Sequence, residues 1–193
     1  MSQPSVKTQR QVLVCVCGGI AAYKVCHVVS RLVQRGVDVN VAMTANARQF
    51  VGAVTFESLS GRPVHTDLWH NLAGEQHQDP PHIRLARDAD LIVVAPATAN
   101  MIAKMAHGLA DDLVSSLLLA ANPAKVFAAP AMNEGMLQHP ATQRNLAAVA
   151  GLGVTLIGPD EGWQACRTTG KGRMTEPEEI LTAILQRLGL KPG

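Results

Sequence analysis

Three short runs of this chain are apolar without alternation: 12–16, 91–95 and 126–129. A strand with one face in water alternates polar and apolar residues; a strand buried on both faces does not. Each run also stops at residues that break a ladder. Gly18 and Gly19 follow the first, Pro96 the second and Pro130 the third. Between the runs the spacing turns helical. Val25, Val28, Val29, Leu32 and Val33 share one helical face over about 21–35, and Gly36 stands where such a helix ends. Residues 37–43 read as a second strand and 154–157 as a fifth. Helices are expected at 45–51, 98–107, 111–121, 141–150 and 176–188, the last with Ile180, Ile184 and Leu188 on one face. This alternation predicts an α/β fold: a doubly wound parallel sheet, Rossmann- or flavodoxin-like, with helices on both faces.

No linker or internal repeat interrupts the pattern, and 193 residues fit a single domain over 1–193, with 1–10 a flexible N-terminus. Stretches 54–59 and 63–69 fit neither period. The polar stretch 70–81, ending in Pro80 and Pro81, is expected to be a mobile loop of the kind that forms lids. A net charge of +2 with no Lys/Arg block gives no footprint for nucleic acid. No apolar run approaches the roughly 20 residues of a membrane helix, and residues 1–10 carry no apolar signal stretch. A cytoplasmic location is the expectation. Cys15 and Cys17 sit two apart on one strand and face the same side, where bridging is geometrically poor. No Cys-x-x-Cys pair marks zinc or a redox dithiol, and no metal is expected.

Ligands of open α/β sheets bind at the carboxyl ends of the strands, so the loops there carry the functional question. Gly18-Gly19-Ile20-Ala21 joins strand to helix. Glycine lets a backbone approach a phosphate, and a helix N-terminus favours its charge. The plainer reading is an ordinary tight turn. The pattern is not Gly-x-Gly-x-x-Gly, and the second strand ends in Met43-Thr44 rather than the acid that grips a dinucleotide ribose, so a mononucleotide fits better. Thr98 and Asn100 follow Pro96-Ala97, and Thr98 could simply cap the next helix. Asp111 and Asp112 read as first-turn acids favoured by the helix dipole. Pro130-Ala131-Met132-Asn133-Glu134-Gly135-Met136 brings two thioethers and an amide together. An amide both donates and accepts, and Met packs around irregular flat groups; the alternative is a strand-end turn with core methionines. His65, His70 and His77 have no metal-ligand spacing and read as loop residues. His82 opens a short helix, where the dipole disfavours its charged form and leaves an imidazole able to accept a proton; a surface cap is the other reading. Cys166 lies in an expected loop that Gly170 and Gly172 would make flexible and Lys171 and Arg173 positive, which lowers a thiol pKa.

His82-Ile83, Pro96–Asn100, Pro130–Met136 and Ala165–Met174, in this order, resemble the homo-oligomeric flavin-containing cysteine decarboxylases, over about 12–180. The resemblance implies FMN as cofactor, touched by Gly18, Gly19, Ile20, Thr44, Pro96, Ala97, Thr98, Ala99, Asn100, Ala131 and Met132. It implies substrate contacts from Asn133, Met136 and Ala165, and catalytic roles for His82 and Cys166. It also implies a homo-oligomer built from trimers, a trimer or a dodecamer, with sites shared between subunits. Aromatic content of 3% agrees, since one chain cannot cage a flavin ring with aromatics. The Cys166 segment resembles the family's coenzyme A branch, which converts phosphopantothenoylcysteine to phosphopantetheine. Two positions depart from that branch: Arg167 where Gly is usual, and Leu137 where Trp or Tyr is common.

The chemistry implied by the resemblance begins with hydride transfer from the carbon bearing sulfur to the flavin. The resulting thioaldehyde stabilises the charge left when CO₂ departs, giving an enethiol. Return of the hydride, with a proton from Cys166, gives the saturated thiol. One rival is a decarboxylase of a peptide C-terminal cysteine, which would stop at the enethiol and need no Cys166; absence of a fused synthetase would allow it. A non-catalytic flavin-binding regulatory subunit is a second rival, lacking the His or the flap Cys, both of which are present here. A flavin prenyltransferase would not need Met132 and Asn133.

Overall fold

The computed structural model describes residues 9–68 and 79–191 of the chain. Trp69, His70, His77 and most of the expected lid stretch lie outside the described residues, as do residues 1–8.

Strands β1 (Gln11–Val16), β2 (Asp38–Met43), β3 (Leu91–Ala97), β4 (Val126–Pro130) and β5 (Thr155–Leu156) form one sheet in the order β2-β1-β3-β4-β5. Every pairing in it is parallel. The unbroken apolar runs are explained by what lies on each face. Val12, Val14 and Val16 pack with α1 (Ala22–Gln34), α2 (Ala53–Ser60) and α8 (Pro177–Leu188) through Val25, Phe56 and Ile180. Leu13, Cys15 and Cys17 point the other way. They pack with α3 (Pro81–Asp88), α4 (Ala99–His107), α5 (Leu113–Ala120) and α7 (Pro140–Gly151) through Leu85, Ile102, Leu117 and Val149. Burying one such side chain stabilises by about 1.5–3 kcal/mol. The doubly wound fold therefore stands, in its flavodoxin-like strand order.

Several local expectations are corrected. Residues 45–51 hold only a 3-10 turn, Ala47–Gln49, while the ambiguous 54–59 lies within α2, whose Phe56 is buried. Residues 63–68 contribute one bridge, Ala42 to His65. Helix α5 starts after Asp112, because that carboxylate caps it by accepting from Ser115 N at 2.8 Å. Asp111 and Asp112 are thus outside the helix, not in its first turn. Strand β5 has two residues rather than four, since it pairs on one side only and Gly158-Pro159 follow. The largest difference lies between β5 and α8. The expected loop is an antiparallel hairpin, β6 (Asp160–Trp163) with β7 (Thr169–Arg173), and Cys166 sits at its turn.

Strand order places the site. After β1 the chain crosses to α1 on one face; after its neighbour β3 it crosses to α4 on the other. Chains that part in this way leave a crevice at the strands' carboxyl ends.

Candidate active site

A cleft of about 1120 Å³ occupies that crevice, bounded by the ends of β1, β3 and β4 and by the β6–β7 hairpin. Its floor comes from the strand-end turns. Gly18 is held close to the turn after β2: a Cβ there would lie 2.4 Å from Asn46 Cβ. Thr44 Oγ1 accepts from Ala47 N at 3.2 Å and fixes that turn. Thr98 Oγ1 accepts from Met101 N at 3.2 Å, so it does cap α4; its hydroxyl also lines the cleft. By contrast α1, which begins at the cleft, has no side-chain cap. Ala131 N donates to Ala97 O at 3.0 Å and ties the β4 loop to the end of β3.

The loop after β4 turns at once into α6 (Glu134–Gln138), with Asn133 as its N-cap. Asn133 Oδ1 accepts from Gly135 N at 2.8 Å, which turns its Nδ2 outward to Cys166 Sγ at 3.3 Å and Gln164 Oε1 at 3.4 Å. Two residues singled out from segments far apart in sequence thus meet at one point. Leu137, where the related branch carries an aromatic, is buried beneath this helix.

The hairpin is a packed flap, not a flexible loop, and its glycines serve close approach. Met132 N donates to Gly172 O at 2.9 Å, and a Cβ on Gly172 would lie 2.3 Å from Met132 O. Gly172 also has φ +121, which L side chains rarely adopt. Gln164, buried, donates from Nε2 to Lys171 O at 2.7 Å while its Oε1 accepts from Asn133 and, at 3.3 Å, from Glu134 N.

Cys166 is exposed, and its pKa lies below the ordinary thiol value. The cause differs from the expected positive setting. The Thr168 hydroxyl, 3.0 Å from Sγ, lowers it most; desolvation opposes, and the Asn133 amide adds to the lowering. Cys17 lines the same cleft, but burial, with Asp112 adding, pushes its thiol up to about 12. It is a protonated wall residue.

The structure gathers Gly18, Gly19, Ile20, Thr44, Thr98, Ala99, Asn100, Ala131, Met132, Asn133, Met136, Ala165 and Cys166 around the cleft. Pro96 and Ala97 are buried behind its floor. His82 is not among the lining residues. It sits in the first turn of α3, half-buried, and its Nδ1 is buried without a hydrogen-bond partner among the described residues. Sequence reasoning missed Gln164, which carries no motif signal, and the ion pairs at the cleft wall. Lys104 bonds Asp111 and, at 2.7 Å, Asp112; Glu176 accepts from Lys24 at 3.1 Å and pairs with Arg173. Lys24 holds the Glu176 carboxyl below the usual range against some desolvation, with Arg173 adding. Among the described residues no cluster of three or more His, Cys, Asp or Glu could hold a metal, and no helix is long and apolar enough to cross a membrane.

Comparison with known proteins agrees with this architecture. The bifunctional coenzyme A biosynthesis protein CoaBC of Bacillus subtilis is 49% identical over 175 residues, covering 89% of this chain and 41% of that protein. The chain thus spans less than half the length of that relative. Among solved structures, a PPC decarboxylase mutant complexed with pantothenoylaminoethenethiol superposes with a TM-score of 0.82 at 29% identity, over 94% of this chain and 99% of that one. The FMN-dependent cysteine decarboxylase SpaF gives a TM-score of 0.76 at 34% identity, over 93% and 98%. The Flavoprotein family matches residues 1–189. With the match running the length of the sheet, the cleft and the flap, this chain belongs to the Flavoprotein family.

Proposed function

We propose that this chain is an FMN-dependent decarboxylase that converts phosphopantothenoylcysteine to phosphopantetheine, as a single domain over 1–193 working in the cytoplasm. The observation that carries the reading is the 3.3 Å contact between Asn133 Nδ2 and Cys166 Sγ at the cleft. It supports the reading by bringing an amide able to bind a carboxylate beside an acidified thiol. Likeness to CoaBC and to the PPC decarboxylase supports the substrate.

The residues present fit FMN. The uncapped N-terminus of α1 and the Gly18-Gly19 turn offer free backbone donors of the kind a phosphate takes. A Cβ on Gly19 would touch Thr98 and Pro96 at 3.8 and 3.9 Å, so this glycine keeps the turn low beside the cleft, and Met101, Met132 and Ala131 give an apolar wall for a flat ring. When bound, FMN supplies the electron sink that side chains lack. The chain's own residues do the rest. Asn133 orients the substrate carboxylate by donation from Nδ2. Cys166 holds a proton at Sγ for the product carbon, and Thr168 and Asn133 ease its release by stabilising the thiolate.

His82 fits a role across a subunit boundary. It does not line its own cleft, its Nδ1 is buried without a partner, and Ile20 and Tyr23 leave the cleft mouth apolar and exposed. A homo-oligomer built from trimers, in which a second copy brings His82 to the site, accounts for its place outside its own cleft and for the exposed apolar mouth.

The likeness to SpaF keeps a second reading alive, oxidative decarboxylation of a peptide C-terminal cysteine. One experiment separates the two. The FMN-loaded protein is incubated with phosphopantothenoylcysteine, and CO₂ and thiol mass are followed. CO₂ with the saturated thiol supports the coenzyme A reading, and Cys166→Ser should then release the enethiol, about two mass units lighter. Enethiol alone from the parent overturns that reading in favour of the peptide one.

A further inference from the structure

Four cationic side chains line the cleft: Lys24, Lys104, Arg167 and Arg173. Three have acidic partners, Lys24 and Arg173 on Glu176 and Lys104 on Asp111 and Asp112. The Arg167 guanidinium has none among the described residues. Its backbone is as unusual as its charge. At φ 64 it is the one non-glycine with positive φ among the described residues. Arg167 N donates to Gln164 O at 2.9 Å to close the flap turn, a position glycine fills without strain. A positive-φ arginine at the turn beside the cleft, its charge without a partner among the described residues, directs the search to a ligand.

We propose that Arg167 is a specificity-determining residue that receives the phosphate monoester of the substrate. This rests on the phosphopantothenoylcysteine reading above. The substrate carries two anions. An arginine clamped on the carboxylate would stabilise the charge that decarboxylation removes, and so would oppose the step; binding spent on the remote phosphate does not. The guanidinium fork also matches a phosphate bidentately, as glycine at this position could not. The flap packs on Met132–Glu134, away from the Gly18-Gly19 turn suited to the FMN phosphate, so the two phosphates do not compete for one site.

The test uses FMN-loaded parent, Arg167→Gly and Arg167→Lys. Calorimetry measures binding of phosphopantetheine and of pantetheine; steady-state assays compare phosphopantothenoylcysteine with its dephosphorylated form. The parent should prefer the phosphorylated ligand by about tenfold or more. Arg167→Gly should lose that preference through KM, with kcat kept and pantetheine affinity within about twofold; Arg167→Lys should fall between. Because glycine suits φ 64, the Gly variant should melt no lower than the parent, so a lost preference is not a folding failure. A parent without phosphate preference, a Gly variant that keeps it, or equal weakening of both ligands overturns the proposal. A parent that decarboxylates neither conjugate defeats the functional reading instead, and the binding arm still decides the role of Arg167.

Discussion

The two walls of the cleft are built on opposite principles. The floor is made of strand ends: Gly18, Thr98 and Met132 follow parallel strands buried on both faces, and each turn is fixed by backbone or capping bonds to its neighbour. The flap is a two-stranded hairpin standing on the surface, docked by the Gly172–Met132 bond, the Gln164 amide and Lys171 N to Glu134 Oε1 at 3.3 Å. Its cysteine shows what the difference does. Cys17 in the floor is held protonated by burial, whereas Cys166 in the flap is exposed and acidified by a neighbouring hydroxyl. A buried wall suits a bound ring; reactivity needs a thiol that water and a few dipoles can tune. On the function proposed above, the contrast gives binding to the floor and proton handling to the flap.

The strongest test is at their junction. Asn133→Asp should fold normally and lose turnover by about 2–5 kcal/mol, because a carboxylate replaces the donor that the proposed function turns to the substrate carboxylate. Steady-state kinetics with bound FMN quantified alongside checks this; parent-like turnover would make Asn133 a cap only. In the floor, Gly18→Val should cost about 1–3 kcal/mol of stability and weaken FMN retention, since its Cβ would press on Asn46. Melting temperature and flavin absorbance after gel filtration measure both. In the flap, Gln164→Leu should lower kcat by about 1–2 kcal/mol while leaving FMN bound, because the amide that joins Asn133, Glu134 and Lys171 is gone. Lost FMN in this variant would break the division between walls.

The smallest expected effect is in a pH profile. Cys166 has a lowered pKa, so its proton is held below that value and lost as pH rises through it. The fraction of saturated product should therefore fall with rising pH, with an inflection below the ordinary thiol range. Thr168→Val removes the largest cause of the lowering, so the inflection should move to higher pH, while FMN content is unchanged. An inflection that stays in place would mean that Thr168 does not tune the thiol.

What was legible beforehand follows from range. The unbroken runs at β1, β3 and β4 announced burial on both faces, and their Gly and Pro stops marked the turns that became the cleft floor. Asn133, Met136 and Cys166 were recognisable because motif spacing is written along the chain. Along the chain Gly170 and Gly172 suggest a flexible loop; in space they are gaps that Glu134 and Met132 fill. Asp112 looked like a first-turn acid because its cap on Ser115 and its bond to Lys104 depend on where α4 lies.

The sequence by itself determined the sheet, its two covered faces and the turns that line the cleft, because period and chain breaks are local properties of the backbone. Only the tertiary structure decided that Cys166 meets Asn133 and that Gln164 joins them. It likewise decided that His82 stands outside its own cleft and that Arg167, at positive φ, carries a charge with no partner among the described residues. Those are distances between segments brought together by packing, and no spacing along the chain encodes them.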